Sequence, residues 1–171
     1  IPAPAVDLPK TAGPLQTAVL AGGCFWGVQG VYQRVRGVRQ AISGYSGGTK
    51  ATADYDRVSA GGTEHAESVE VRFDPKEISY GELLRIYFSV AHDPTELNRQ
   101  GNDVGTQYRS AIFYQSDEQR DTARAVVDEI AAAKLWRGRI VTEIAGPAAV
   151  YPAESRHQDY FDRNPGPPHC T

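Results

Sequence analysis

Apolar and polar positions along the chain change period several times, and each change predicts an element. The run Ala18-Val19-Leu20-Ala21 predicts a strand over 17–21. Phe25, Val28, Val31, Tyr32 and Val35 then recur in steps of three and four, so a helix is expected from Cys24 to about Val35, closed by Gly37. A second strand is read over 38–44. Residues 45–62, rich in Gly, Ser, Thr and Ala, are expected to form a long functional loop carrying Tyr45 and Tyr55. Residues 65–73 alternate, with Val69, Val71 and Phe73 on one face and Ser68, Glu70 and Arg72 on the other.

Ser79-x-x-Glu82 reads as a capping box opening a helix with a buried face of Leu83, Ile86, Tyr87 and Val90, which stops at His92-Asp93-Pro94. A polar loop over 95–107 follows, then a strand over 108–114. Ser116-x-x-Gln119 opens a further helix, with Ala123, Val126, Val127 and Ile130 inward and Gly138 as its end. A last strand is read over 140–145 and a short helix over 152–161. This order, β-α-β twice and then α-β-α, predicts an α+β two-layer sandwich with a ferredoxin-like core, C-terminal additions and a long coil tail. Residues 1–15, with four prolines, are expected to be an extended N-terminal arm. Residues 16–171 are read as one domain in which 163–171 is a mobile tail carrying Cys170.

Two positions in this pattern carry candidate chemistry. Cys24 lies between two glycines and two aromatics at a strand-to-helix junction, where unpaired N–H groups and the helix dipole favour a thiolate. A cysteine there is equally read as a small buried hydrophobe. Extending the alternation of 65–73 backwards puts Glu67 on the apolar face, where desolvation would raise its pKa and make it a proton donor near neutral pH. A solvated or arginine-paired Glu67 just outside the core is the competing reading. Cys170, on the tail, is either a second thiol that resolves an oxidised Cys24, the partner of a static disulfide in an exported protein, or an idle end.

Composition narrows the field. A chain of 171 residues buries roughly 70% of its unfolded surface without a metal or disulfide staple. A net charge of −3 argues against nucleic-acid or anionic-membrane partners. No apolar run is long enough to span a bilayer. No metal or other cofactor is expected, because the two cysteines and four histidines lack metal-ligand spacing. The chain contains no methionine and begins at Ile1, so either cytoplasm or a bacterial envelope after signal removal is compatible with it. A phosphatase reading fails because the sixth position after Cys24 is Gly30, where a phosphate-binding arginine would be needed.

Four separated motifs carry a resemblance covering nearly the whole chain. Gly22-Gly23-Cys24-Phe25-Trp26-Gly27, His65-Ala66-Glu67, the run from Gly101-Asn102-Asp103 to Tyr108-Arg109-Ser110, and His157-Gln158-Asp159-Tyr160 closely resemble the A-type peptide methionine sulfoxide reductases. The resemblance implies thiol-dependent reduction of methionine S-sulfoxide, free or in proteins. It implies Cys24 as nucleophile and Glu67 as the acid protonating the departing oxygen. Tyr55 and Tyr108 would hydrogen-bond that oxygen, Asp103 would help organise the site, and Phe25 and Trp26 would cup the S-methyl group. Cys170 would condense with the Cys24 sulfenic acid to a disulfide that thioredoxin reduces, and the enzyme is expected to work as a monomer. The chain departs from the family pattern at Glu64, where a glycine is usual, and in its Gly166-Pro167-Pro168-His169-Cys170 tail. The competing functional classes are a cysteine-dependent acyl-transfer enzyme and a non-catalytic peptide-binding module.

Overall fold

Alternation along the strand ending at Phe73 gives a sheet with one thickly covered face. A computed structural model of the chain describes residues 1–164. In chain order the elements are β1 (Gln16–Gly22), α1 (Phe25–Gln33), β2 (Val38–Ser46), α2 (Tyr55–Ala60), β3 (Ala66–Phe73) and α3 (Tyr80–Ile86). After these come β4 (Arg99–Gln100), β5 (Asp103–Val104), β6 (Ser110–Phe113), α4 (Asp117–Ala132), β7 (Glu143–Ala145), β8 (Tyr151–Pro152) and α5 (Tyr160–Arg163). The main sheet runs β7-β6-β1-β3-β2-β8; β6 and β7 are parallel, and the other pairs are antiparallel. The short strands β4 and β5 form a separate hairpin.

Leu20, Val69, Val71, Phe73 and Ile112 from the sheet pack in one cluster with Val28 and Tyr32 of α1, Leu83 and Leu84 of α3, and Ala123, Val126 and Ile130 of α4. Each large side chain so buried contributes about 1.5–3 kcal/mol relative to exposure. The Tyr32 hydroxyl donates to the Leu83 carbonyl at 2.8 Å, tying α1 to α3 inside this layer. The other sheet face holds a smaller cluster of Val19, Ala21, Ala66, Ala111 and Phe113, covered by Ala145, Ala148 and Val150. The arm over 1–15 has neither helix nor strand, yet it is docked. The Asp7 carboxylate accepts from the Ser79 hydroxyl at 2.6 Å and the Gly81 N–H at 2.8 Å, beside the start of α3.

The predicted caps are in place. Ser79 accepts from the Glu82 N–H, and Ser116 from the Gln119 N–H. Several expectations need correction. The stretch 45–62 is not all loop: β2 continues to Ser46, and α2 forms because the Asp54 carboxylate caps it through the Arg57 N–H at 2.9 Å. Val90 is 66% exposed rather than inward. Residues Tyr87–Ala91 widen into a π turn, and the extra residue per turn rotates Val90 off the buried face. Helix α4 stops well before Gly138, just ahead of Lys134 in the left-handed region at φ 52°. Tyr108 lies in a 3₁₀ turn, Thr106–Tyr108, ahead of β6. The helix expected over 152–161 is instead β8, a 3₁₀ turn and the short α5.

Glu64 leads into β3 with φ at 69°, a region that favours glycine. Its side chain is exposed, and only its carbonyl is engaged, accepting from Arg109 Nη2 at 3.0 Å. The glycine that the resembled family carries at this position therefore has a backbone reason. Glu64→Gly is expected to raise unfolding stability by about 0.5–1 kcal/mol, the relief of left-handed strain exceeding the added unfolded-chain entropy. A urea midpoint that falls instead would show that the Glu64 side chain itself stabilises the fold.

Candidate active site

The loop between β1 and α1 brings backbone and side chain together around Cys24. Cys24 is the half-buried N-cap of α1, and its own side chain does not cap the helix. Gly23 precedes it at φ 92° with Gln100 packed so closely that a Cβ would lie 2.6 Å from the Gln100 Cβ, so only glycine fits. Gln100 is itself pinned: its carboxamide accepts from the Asp93 N–H at 2.7 Å and donates to the Asp93 carbonyl at 3.0 Å. Cys24, Gln100 and Asp103 line one cavity of about 280 Å³ with Gly22, Val90 and His92. Larger hollows of about 470 and 530 Å³ lie under the N-terminal arm and along β2, away from Cys24.

Glu67 reaches this loop from β3. It is 2% exposed, and its carboxylate accepts from the Phe25 N–H, one residue past Cys24, at 3.0 Å. Burial lifts its pKa from 4.5 to about 8; the Phe25 N–H opposes the rise, and the charge of Asp103 adds to it. The acid facing Glu67 is therefore Asp103, not the exposed Glu64. Burial, followed by the charge of Glu67, also raises the hydroxyls of Tyr55 and Tyr108, which stay protonated as donors at neutral pH. Asp103 is raised by burial as well. Phe25 is fully buried and Trp26 half-buried; their rings lie 6.5 and 6.4 Å from that of Tyr55.

The structure thus gathers Cys24, Phe25, Trp26, Tyr55, Glu67, Asp103 and Tyr108 in one region. Cys170 lies outside the described residues. No group of three or more metal-ligating side chains occurs among the described residues.

Comparison with known proteins bears on this arrangement. Residues 16–171 match the family model for peptide methionine sulfoxide reductase. The chain belongs to this family. It is 52% identical to a Synechocystis protein named peptide methionine sulfoxide reductase MsrA 2, over 99% of this chain and 80% of that relative. Among solved structures, the reduced form of Saccharomyces cerevisiae Mxr1 superposes with a TM-score of 0.82 at 34% identity, covering 96% of each chain. Methionine sulfoxide reductase A of Corynebacterium diphtheriae does so with a TM-score of 0.78 at 34% identity, covering 99% of this chain and 90% of its own.

Further side chains complete the aromatic wall of this reductase-family site. His157 stacks on Tyr55 with ring centroids 4.0 Å apart, and its Nδ1 accepts from Trp26 Nε1 at 3.1 Å. Tyr160 stacks on the other aromatic, 3.7 Å from Trp26. Burial and then the cationic Arg156 lower the His157 pKa, which keeps the ring neutral and able to accept. Tyr45 stands opposite Glu67 in the β2–β3 register and packs against Phe25 at 5.6 Å. The His157-Gln158-Asp159-Tyr160 motif was the one available signal for His157 and Tyr160. Tyr45 was marked only as one of two tyrosines in the stretch 45–62.

The state of Glu67 has a consequence for stability. Above pH 4.5 the unfolded chain loses the proton that the native carboxyl keeps until about pH 8. The native state then binds more protons, so this group lowers stability progressively as pH rises through that window. Glu67→Gln, which cannot ionise, is expected to be more stable than the parent by about 3 kcal/mol at pH 7 and by almost nothing at pH 4. Urea unfolding of both proteins at the two pH values checks this. An equal difference at both would mean that Glu67 is ionised in the native state.

Proposed function

We propose that the chain reduces methionine S-sulfoxide, free or in proteins, to methionine, with Cys24 as nucleophile and Glu67 as general acid. The observation that carries the reading is the buried, protonated carboxyl of Glu67 bonded to the N–H next to Cys24. A sulfoxide oxygen leaves sulfur only as its protonated form, and a positioned acid is worth roughly 10²–10⁴-fold. The Cys24 thiolate attacks the sulfoxide sulfur, Glu67 delivers a proton to the oxygen, and the hydroxyl transfers to Cys24. Sulfide and a Cys24 sulfenic acid result. Tyr55 and Tyr108 donate to the oxygen, Asp103 helps to organise the site, and Phe25 and Trp26 cup the methyl group. An oxygen pocket facing a methyl pocket selects one epimer at sulfur.

Turnover then requires two further thiol steps. Cys170 attacks the sulfenic sulfur, water leaves, and the resulting disulfide is reduced by the dithiol of thioredoxin. Oxygen from the substrate ends as water, and two electrons pass from thioredoxin to the sulfoxide, which becomes methionine. Residues 16–171 act as one catalytic domain that carries the docked arm over 1–15 and, past α5, the segment with Cys170, and the enzyme works as a monomer without nucleic-acid or membrane partners. The net charge of −3 supports that last part. The central strand order β6-β1-β3-β2 supports a ferredoxin-like reading of the core.

With dithiothreitol as reductant, turnover of the S epimer alone is expected, and its abolition in Cys24→Ser. Turnover of both epimers, or a Cys24→Ser variant that works normally, would sink the assignment. The rate should fall as pH rises through about 8, where Glu67 loses its proton. A rate still rising past that pH would exclude Glu67 as the acid. Cys170→Ser is expected to release about one equivalent of methionine per enzyme and then stall with thioredoxin as reductant; sustained turnover would remove its resolving role.

A further inference from the structure

Glu154 belongs to the C-terminal segment, yet both of its carboxylate oxygens serve aromatic residues of the site. One accepts from the Tyr45 hydroxyl at 2.8 Å, the other from the Tyr55 N–H at 3.0 Å. Tyr55 is the first residue of α2, so this bond satisfies one of the unpaired donors at that helix start. Burial pushes the carboxyl up, but hydrogen bonds from its own N–H, the Tyr55 N–H and the Tyr45 hydroxyl outweigh it and hold the group ionised. Three residues on from Glu154, His157 has its ring on Tyr55. Tyr55 is therefore fixed from two sides by one short segment.

That segment is itself anchored to the sheet and to α1. Gln158 donates to the Ser43 carbonyl at 2.8 Å and accepts from the Ser43 N–H at 2.9 Å. The Asp159 N–H donates to Gln29 at 3.0 Å. A carboxylate mounted on such a base has little freedom to drift, and neither does the backbone it holds.

We propose that Glu154 is a positioning residue for the reductase reaction, fixing Tyr55 so that its hydroxyl points at the sulfoxide oxygen. This rests on the reading above that Tyr55 donates to that oxygen. Misplacing a bonding group by about 1 Å is enough to lose on the order of 10²-fold in rate. The action through Tyr55 gives the proposal a signature that a general weakening of the fold lacks.

The test is a double-mutant cycle on the single-turnover rate of S-sulfoxide reduction, using the full chain. Glu154→Ala is expected to slow the step by about 10- to 100-fold in the parent, chiefly in kcat, and by no more than about 2-fold in a Tyr55→Phe background. Glu154→Gln keeps the volume but has one accepting oxygen for two donors, so an intermediate loss is expected; it carries the test if the alanine variant does not fold. Equal losses in both backgrounds would overturn the proposal, since Glu154 would then act on the fold or through Tyr45. A parent-like rate for Tyr55→Phe alone would overturn the reading of Tyr55 and the proposal with it.

Discussion

A carboxyl kept protonated near the start of β3 is the constraint on which the site depends. Glu67 is almost entirely out of water and is given one strong donor, the Phe25 N–H. One donor does not replace the hydration of a carboxylate, so the acid form prevails at neutral pH. The donor comes from the first residue of α1, just after Cys24, so the same bond sets where the helix begins relative to the sheet. Proton donor and candidate nucleophile thus take their relative position from a single contact between β3 and α1. The tight turn at Gly23, closed over by Gln100, leaves that contact little slack.

Around this pair the molecule uses tertiary contacts rather than regular structure to hold its aromatics. Trp26 lies against Tyr160, Tyr55 lies against His157, and the Trp26 ring nitrogen binds His157. Behind the loop, the half-buried His92 is pushed down to about 4 by desolvation, so it stays neutral. It sits 2.7 Å from the Ser110 hydroxyl, which also lies 2.7 Å from that of Thr142. The Tyr87 hydroxyl donates to the Ala21 carbonyl at 2.6 Å, close to the turn that carries Cys24. These polar groups connect the π turn after α3 to β1 and β6 without burying a net charge.

Much of this was legible in the chain because its elements obey local rules. The alternation of β3 placed Glu67 on the covered face, and the caps at Ser79 and Ser116 lie where their spacing put them. The failures have a common physical origin in contacts between distant residues. Val90 kept a helical phase in the sequence, but the π turn at Tyr87–Ala91 changed the period where the chain bends towards His92. Residues 152–161 looked helical because the residue types suit a helix. Gln158 instead uses its side chain as a strand would use its backbone, and that use depends on Ser43, far away in sequence. The roles of Glu154, His157 and Tyr45 were hidden for the same reason, although a motif marked His157 and a loop rich in small residues marked Tyr45: their partners are defined only once β2 and the C-terminal segment meet.

The engagement of Ser43 also bears on how the sheet ends. Strand β8 covers β2 only at Gly44 and Tyr45, so the rest of that margin needs other partners. At Ser43 they are the Gln158 amide and the Ala153 N–H, while the Ala41 carbonyl accepts from Gln29 at 2.9 Å. Side-chain amides there occupy backbone groups that an incoming strand would otherwise seek. An open margin is where foreign chains add on and begin to aggregate. The C-terminal segment therefore acts as a stopper for the sheet at Ser43, leaving that stretch of the margin no free backbone groups for a further strand to join.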